Sequence, residues 1–400
     1  MRAFRRNDAE PEIPADWPDW HRRRRMAEEY FVPWVQAALP LEGRTVLEYG
    51  CGYGSVTAAF APHAGRYIGI DIDETAIAYA GDVLPRRGVR VELVAAPPEK
   101  VLDAAAAYRG EVDVFLCYAV LEHMTVGERL ALLRLARESV RPGGIIVIIE
   151  TPNRLMPVDY HTSQLPFLGQ LPEELALAYL DRSPRAEFVE GMREAAAKGA
   201  EAELEAYVRW GRGMSYHELE LVFEDLAGHV VASSYEPALL GERRVYRDEL
   251  ALQRVLDTER PDLPGAFSRY WLDVILTPSP GARRRFLHPW PLVTTASKGA
   301  FYDEARMVQL EQDAVLAVVL PQGSSRLVVG LEAPPPGTRV NVKEYDSGAE
   351  RTVEAVPGGP SVSYDDPGVS HADFVFDALS VHYEIRLDRP GVVSYVLFER

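Results

Sequence analysis

The stretch VLEYGCGYGSVT, residues 46–57, decides the fold class of this chain. It combines an apolar run, a carboxylate at Glu48, and glycines at positions 50, 52 and 54. Glycine reaches backbone conformations that other residues avoid, and it lets another group come close to the main chain. Three glycines directly after an apolar run therefore predict a turn from a strand into a helix, with a ligand held against the backbone.

The glycine spacing excludes two phosphate-binding motifs. A dinucleotide fingerprint needs glycine where Ser55 stands, and a P-loop needs a following Gly-Lys-Ser/Thr, which is missing. Asp71, at the end of the second predicted strand, is placed to accept hydrogen bonds from a ribose diol. Together these features indicate a nucleoside cofactor without a pyrophosphate.

Strand-like and helical runs alternate between residues 45 and 150. Helical runs such as ETAIAYAGDVL (74–84) and TVGERLALLRLARESV (125–140) separate the strands, and the second opens with a capping box of Thr125 and Glu128. Strict alternation predicts an α/β fold, a doubly wound Rossmann-like sheet with helices on both faces. The predicted strands are 45–49, 66–71, 90–96, 112–120 and 145–150.

After residue 150 the pattern becomes irregular and rich in proline, and residues 183–211 then have helical character. Long irregular segments in compact domains are usually lids or binding loops, so we expect residues 151–214 to be a lid insertion over an acceptor site. The alternation resumes with a capping box of Ser215 and Glu218. A strand (229–237), a helix (248–257) and another strand (270–278) follow.

From about residue 310 the period changes to two. In TRVNVKEY (338–345), Val340 and Val342 face one way and Arg339, Asn341 and Lys343 the other. This pattern predicts an antiparallel β-sandwich. The expected domains are an arm and cap helix (1–43), an α/β domain (44–285) and an accessory β-sandwich (286–400).

The amino-acid composition limits which partners this chain can bind. The formal net charge is −17, which argues against nucleic acid or an anionic membrane surface as the main partner. We interpret Arg22 to Arg25 as a solvated helix face rather than a nucleic-acid patch. Two cysteines are too few for a cysteine-rich metal site, and we predict no metal. No secretory or membrane-spanning apolar run is evident, so we expect a cytoplasmic enzyme.

Residues 44–150 resemble the class I S-adenosylmethionine-dependent methyltransferases. The resemblance rests on four motifs in the family's order: VLEYGCGYG, YIGIDIDETAIAYA, CYAVLEHM and RPGGIIVIIETPNR. It implies that S-adenosylmethionine is the cofactor. It also implies that Glu48 orients the glycine loop and the methionine ammonium group, and that Ile72 lies against the adenine.

One departure concerns the adenine. Many relatives place an aspartate after the third strand, whereas this chain reads AAPPEK, so Ala96 and Pro97 would supply backbone atoms or apolar contact, with Glu99 as an alternative. The cofactor contacts implied by the resemblance, with Asp71 on the ribose, are Tyr30, Glu48, Gly50, Cys51, Gly52, Asp71, Ile72, Ala96, Pro97, Cys117 and Tyr118.

Methyl transfer to oxygen needs alignment, exclusion of water and a base. Three residues are candidates for that base. His161 lies in the insertion, with a surface loop histidine as its alternative interpretation. His123, in LEHM, occurs in a triplet found among relatives with unrelated acceptors, which favours a structural or cofactor-side role. Glu150 ends the fifth strand.

We therefore expect a methyltransferase that O-methylates a small molecule, such as a sugar, a glycosylated metabolite or another natural product. Two alternatives stay open: methylation of a peptide or protein at nitrogen or carboxyl, and a non-catalytic cofactor-binding scaffold with the sandwich as interaction module. The sandwich would grip the acceptor, close its cleft or form a homodimer interface. It could also only stabilise the first domain.

Overall fold

The structure, a computed structural model, describes most of the chain. The chain divides into two compact units, residues 1–120 with 134–147 and residues 121–133 with 148–400. The described residues are 20–234, 239, 246–260, 262–281, 287–290, 295–296, 300–302, 308–312, 314–320, 324–354, 371–378, 380 and 382–399.

Seven strands form the α/β sheet. They are β1 (Thr45–Tyr49), β2 (Arg66–Asp71), β3 (Glu92–Ala95), β4 (Val112–Tyr118), β5 (Val140–Pro152), β6 (Val230–Ser233) and β7 (Trp271–Leu276). The strand order is β3-β2-β1-β4-β5-β7-β6. β1 is parallel to β2 and β4, β2 is parallel to β3, and β6 is antiparallel to β7. The order reverses between β1 and β4, which is the switch point of a doubly wound sheet. The predicted Rossmann-like fold is confirmed.

Helices alternate with these strands and also fill the insertion. They are α1 (Trp20–Met26), α2 (Val32–Ala38), α3 (Ser55–Phe60), α4 (Glu74–Arg86), α5 (Val101–Ala106), α6 (Val126–Ser139), α7 (Glu173–Tyr179), α8 (Ala186–Ala196), α9 (Ala200–Gly211), α10 (Tyr216–Glu220), α11 (Leu226–His229) and α12 (Arg247–Glu259). Among the described residues, no helix combines the length and apolarity that a membrane span requires.

Both predicted capping boxes are confirmed. The backbone N–H of Thr125 donates to Glu128 Oε2 at 2.7 Å, and the N–H of Glu128 donates to Thr125 Oγ1 at 3.2 Å. Ser215 and Glu218 form the same reciprocal pair at the start of α10. These bonds satisfy donors that the first turn of each helix leaves without intrahelical partners.

The chain before β1 is anchored to the glycine loop. Trp20 is buried, and its Nε1–H donates to the Tyr53 carbonyl at 2.9 Å. The predicted cap helix is divided into α1 and α2 by a π-helical turn, Ala27–Phe31. The predicted arm before Trp20 lies outside the described residues.

The insertion has a small core of its own. Phe188, Met192 and Tyr207, from α8 and α9, pack with Leu165 and Leu168 of the irregular segment. The predicted helical region 183–211 is confirmed and consists of two helices, α8 and α9. Gly199, with φ +118°, lies between them. Buried apolar contacts therefore order a segment whose sequence is irregular.

The C-terminal strands form two antiparallel sheets. They are β8 (Leu287–Trp290), β9 (Thr295–Ala296), β10 (Ala300–Tyr302), β11 (Val308–Leu310), β12 (Val315–Val319), β13 (Arg326–Glu332), β14 (Arg339–Glu344), β15 (Glu350–Glu354), β16 (His371–Asp377), β17 (His382–Leu387) and β18 (Gly391–Glu399). One sheet has the order β10-β11-β18-β13-β16 with β8 beside β18, and the other β15-β14-β17-β12-β9. Both sheets contribute to one buried core, so the β-sandwich is confirmed.

The alternation predicted for the sandwich is present. Val340 and Val342 are fully buried, whereas Arg339 is exposed. The strands β8 to β11, each of two to four residues, were not predicted.

Candidate active site

The glycine loop after β1 has the backbone that its sequence predicts. Gly50, Gly52 and Gly54 have φ values of +80°, +50° and +78°, a region that glycine enters without steric cost. A Cβ atom on Gly50 would lie 2.6 Å from Cγ2 of Val120, so the residues after β4 approach this glycine closely. A Cβ atom on Gly52 would meet no described heavy atom within 4 Å. The loop therefore has open space beside Gly52.

Asp71 is tied to this loop. Its Oδ2 accepts from the Gly52 N–H at 2.6 Å, and its Oδ1 accepts from the Asp73 N–H at 2.9 Å. An ionised carboxylate offers about four lone-pair positions, so capacity for two ribose hydroxyls remains. Ile72, the next residue, is 53% exposed, as expected for an apolar surface that a ligand would cover.

Glu48 is buried beneath the loop. Its Oε2 accepts from Thr57 Oγ1 at 2.5 Å and from the Tyr67 hydroxyl at 2.8 Å. Burial, aided by the charge of Asp71 and opposed by the two hydrogen bonds, raises the pKa of Glu48 from 4.5 to about 8. Burial also raises the pKa of the adjacent Cys51 thiol. Glu48 is therefore largely protonated at neutral pH.

The remaining predicted cofactor residues lie at or near the ends of their strands. Ala96 is buried, and its N–H donates to the Asp71 carbonyl at 3.0 Å, whereas the next residue, Pro97, is exposed. Cys117 and Tyr118 end β4 and are buried. The Tyr118 ring meets Phe31 edge-on at 5.5 Å. Tyr30, beside Phe31, is buried in the π-helical turn, a feature often found at functional sites.

A cavity of about 460 Å³ opens where the chain leaves β5. Arg154, His161 and Arg212 are among its polar lining residues. Its volume lies in the usual range for small-molecule sites. Five aromatic side chains also line it: Tyr160, Tyr207, Tyr246, Tyr270 and Trp271.

His161 is held in this cavity by a short turn. Asp159 accepts from the N–H groups of Thr162 at 3.0 Å and Ser163 at 2.9 Å, which closes the turn around His161. Arg185 donates to the His161 carbonyl at 3.0 Å. Gly211, with φ +119°, provides the space, because a Cβ atom there would lie 2.5 Å from His161 Cε1.

The hydrogen bonds of Thr162 fix the tautomer of neutral His161. Thr162 Oγ1 lies 2.6 Å from the Gly211 carbonyl, which can only accept, so the hydroxyl proton points there. The His161 Nδ1 atom lies 2.8 Å from the same hydroxyl oxygen and must donate to it. In the neutral ring, Nε2 then carries the lone pair, as a base requires.

Both candidate histidines converge on Glu122, a buried carboxylate that sequence reasoning missed. Glu122 Oε1 lies 3.8 Å from His123 Nε2 and 4.0 Å from His161 Nε2. His123 Nδ1 donates to the Arg209 carbonyl at 2.8 Å, because a carbonyl only accepts. The ligand atoms of these three residues lie within 4.8 Å of one another, so the trio could also hold a metal ion.

Glu150, the third candidate base, is placed differently. It has a left-handed backbone (φ +56°), and its N–H donates to Asp273 Oδ1 at 2.9 Å. Of the three candidate bases, His161 lines the cavity. Glu150 and His123 are not among the described residues that line it.

The methyltransferase-domain family matches residues 46–144, which contain β1 except Thr45, the glycine loop, Asp71 and β2 to β4. Residues 46–144 form a class I S-adenosylmethionine-dependent methyltransferase domain. The ubiquinone biosynthesis O-methyltransferase of Thiobacillus denitrificans is 38% identical over 123 residues, which cover 30% of this chain and 50% of that protein. Its counterpart in Bordetella avium is 35% identical over 124 residues, covering 31% and 49%.

The chain thus spans about half the length of the curated relatives it matches. Among solved structures, a magnesium protoporphyrin IX methyltransferase from Synechocystis with bound SAM is 20% identical and covers 36% of this chain and 67% of its own. Its TM-score is 0.29, too low for further comparison.

The residues of the methyltransferase domain fit S-adenosylmethionine. The open space beside Gly52 admits a ligand against the main chain, and Asp71 keeps acceptor capacity for a ribose. Ile72 presents an exposed apolar side chain next to Asp71. Glu48, Gly50 and Cys51 would hold the methionine end, as the resemblance implies.

A buried ion pair supports the cavity wall between α9 and α10. The guanidinium of Arg129 bonds Glu218 Oε1 at 3.1 Å and donates to the carbonyls of Arg212 at 2.7 Å and Gly213 at 3.2 Å. The Arg212 N–H donates to the Glu122 carbonyl at 2.7 Å. Arg129 thus fixes the backbone that carries Arg212.

Proposed function

We propose that this chain transfers a methyl group from S-adenosylmethionine to an oxygen atom of a small molecule bound in the 460 Å³ cavity. The methyltransferase domain and the O-methyltransferase names of the relatives support the reaction class. The observation that carries the proposal is His161. It lines the cavity, and its bond to Thr162 leaves the lone pair of neutral imidazole on Nε2.

S-adenosylmethionine, when bound, supplies a methyl group already activated by a sulfonium. The glycine loop and Asp71 would bind it, and Glu48 would fix the loop from below. His161 would take the proton of the acceptor hydroxyl at Nε2. The buried carboxylate of Glu122 would stabilise the imidazolium that forms, because opposite charges attract more strongly away from water.

The cavity walls indicate the shape of the acceptor. Aromatic side chains offer flat apolar faces, and the hydroxyls of Tyr160, Tyr207 and Tyr246 add polar groups to these walls. Such walls suit a ring-shaped, hydroxylated acceptor. A sugar, a glycosylated metabolite or another natural product remains our preferred class, and the insertion 151–214 would be its lid.

An acceptor screen tests the proposal. Purified full-length protein is incubated with methyl-labelled S-adenosylmethionine and either a panel of phenols, sugars and glycosides or a panel of peptides. We expect label on at least one small molecule and none on peptides. Label on peptides would favour protein methylation instead. Cofactor binding without any methyl acceptor would favour a non-catalytic scaffold.

We also propose that residues 286–400 are an accessory domain appended to a methyltransferase domain at 44–285. The sandwich has its own apolar core, and the predicted cofactor contacts, from Tyr30 to Tyr118, all precede it in the sequence. A chain ending at residue 285 should keep its affinity for S-adenosylmethionine and lose acceptor affinity or the predicted homodimer. Calorimetry and light scattering measure both. Loss of cofactor binding in a folded truncated chain would refute the modular division.

A further inference from the structure

We propose that the acceptor carries a carboxylate group and that Arg154 binds it. This inference rests on the proposed function, because it specifies the acceptor of the same cavity. Arg154 follows β5 in the sequence TPNR and lines the cavity.

The guanidinium of Arg154 has spare donors. Its Nε–H donates to the Gly169 carbonyl at 2.7 Å, and four of its five N–H donors remain. The ion pairs within the described part of the chain do not include Arg154, although its side chain is half-buried. A partly buried charge without a counterion is costly, and an anionic ligand would remove that cost.

The two neighbouring arginines are already neutralised. Arg212 forms an ion pair with Glu173, and its guanidinium lies 5.1 Å from the centre of the Tyr207 ring. Arg129 pairs with Glu218 at 3.1 Å. Burial and then the charge of Arg212 lower the pKa of Arg154, so the site disfavours its positive charge until an anion binds.

The carboxylates of the cavity wall accept hydrogen bonds from groups other than Arg154. Asp159 accepts from Thr162 and from both the N–H and the hydroxyl of Ser163. Asp248 accepts from the Tyr270 hydroxyl at 2.9 Å. Because Asp159 and Asp248 keep their negative charges in this cavity, the single guanidinium of Arg154 favours a monoanion such as a carboxylate over a doubly charged phosphate. A planar carboxylate also fits the fork of a guanidinium.

Arg154 is held in place before any ligand arrives. The backbone N–H of Arg154 donates to the Met214 carbonyl at 2.9 Å, and the backbone N–H of Met214 donates to the Pro152 carbonyl at 2.8 Å. The side chain of Asn153 donates to the carbonyls of Phe267 at 2.8 Å and Arg269 at 2.9 Å. A preorganised binding group loses less conformational freedom when a ligand binds.

The test is calorimetric and needs no methyl transfer. Full-length protein is titrated with 3,4-dihydroxybenzoate and with the uncharged 3,4-dihydroxybenzamide, which has the same ring and hydroxyls. We expect the acid to bind at least 10-fold more tightly than the amide. Arg154→Gln should weaken acid binding about 10- to 100-fold and leave amide binding unchanged, as for charge-assisted hydrogen bonds. Arg193→Gln, on the exposed face of α8, is the matched control and should behave as the wild type.

A second variant keeps the inference testable if the Arg154→Gln protein does not fold. Glu173→Gln removes the carboxylate partner of Arg212 at an exposed position and should tighten acid binding several-fold, since a second positive charge becomes available. Equal binding of acid and amide to the wild type would overturn the inference. Unchanged acid binding to a folded Arg154→Gln protein, or tighter binding of phenyl phosphate than of the acid, would do the same.

The two proposals fail separately. If neutral acceptors are methylated with a KM that Arg154→Gln does not change, the methyltransferase function stands and the carboxylate site is wrong. If the acid binds through Arg154 and no acceptor in the screen is methylated, the carboxylate site stands and the proposed function is wrong.

Discussion

Glu122 Oε1 lies 4.0 Å from His161 Nε2, and the Glu122 side chain is only 1% exposed. That distance is too long for a hydrogen bond. In a buried environment of low polarity, however, a carboxylate and an imidazolium attract each other strongly across it. The attraction grows when His161 gains a proton, which is the step that our proposal assigns to it.

Replacing His161 tests that step. His161→Ala should lower turnover about 10²- to 10⁴-fold and leave the affinity for S-adenosylmethionine unchanged, because it removes proton transfer and not cofactor contacts. Steady-state kinetics and calorimetry measure the two quantities. His123→Ala is the matched control, since His123 neighbours the same carboxylate without lining the cavity, and it should retain most turnover. Near-normal turnover of His161→Ala would indicate that His123 or Glu150 is the base instead.

Chelation distinguishes a base from a metal ligand. Because we assign the Nε2 lone pair of His161 to the acceptor proton, treatment with EDTA should leave turnover unchanged, and added divalent cations should not raise it. Activity is assayed before and after dialysis against the chelator. Loss of activity that a divalent cation restores, and that His123→Ala also abolishes, would identify Glu122, His123 and His161 as a metal site instead.

Asp71 should control cofactor affinity. Asp71→Ala removes the acceptor for the ribose and the bond to the Gly52 N–H, so binding of S-adenosylmethionine should weaken by about 1.5–3 kcal/mol. Gly52→Val should also weaken binding, because it fills the open space with a side chain. Asp73→Ala is the control: Asp73 caps α4 through the N–H groups of Thr75 and Ala76, so it should lose about 1 kcal/mol of stability and no affinity. Unchanged affinity in both Asp71→Ala and Gly52→Val would refute the cofactor site.

Glu48 should make stability depend on pH. Its pKa is about 8 in the folded protein and 4.5 otherwise, so the folded state holds its proton more tightly. That contribution is complete below about pH 4.5 and is lost as the pH rises through 8, on the order of a few kcal/mol. Glu48→Gln keeps a neutral acceptor for Thr57 and Tyr67 and should lose less stability between pH 6 and pH 9. Urea unfolding at several pH values measures this, and parallel profiles for the two proteins would contradict the assignment.

The sequence predicts the fold well where the information is local. The glycines at 50, 52 and 54, the acid at position 71 and the two capping boxes each depend on neighbours a few residues away. The region around Gly144 shows the limit. The fifth strand was predicted to begin at residue 145, but β5 begins at Val140 and includes Gly144. Glycine is needed there because a Cβ atom would lie 2.4 Å from the Asp113 carbonyl oxygen.

The cavity could not be predicted in the same way. Thr162 and Gly211 are 49 residues apart, and only folding shows that they fix the tautomer of His161. Glu122 stands in the quoted motif LEHM, yet its burial beside two histidines depends on the packing of the insertion. The short strands β8 to β11 have too few residues to show a period of two.

The close contact between Gly211 and His161 also limits how this protein can be redesigned. A side chain at position 211 would displace the imidazole as well as strain the backbone, so a variant library for new acceptors should keep this glycine. Tyr160 and Tyr246 are 58% and 40% exposed on the cavity wall, so they are better positions to vary. Acceptor preference should therefore be alterable at these two tyrosines while the chemistry is conserved.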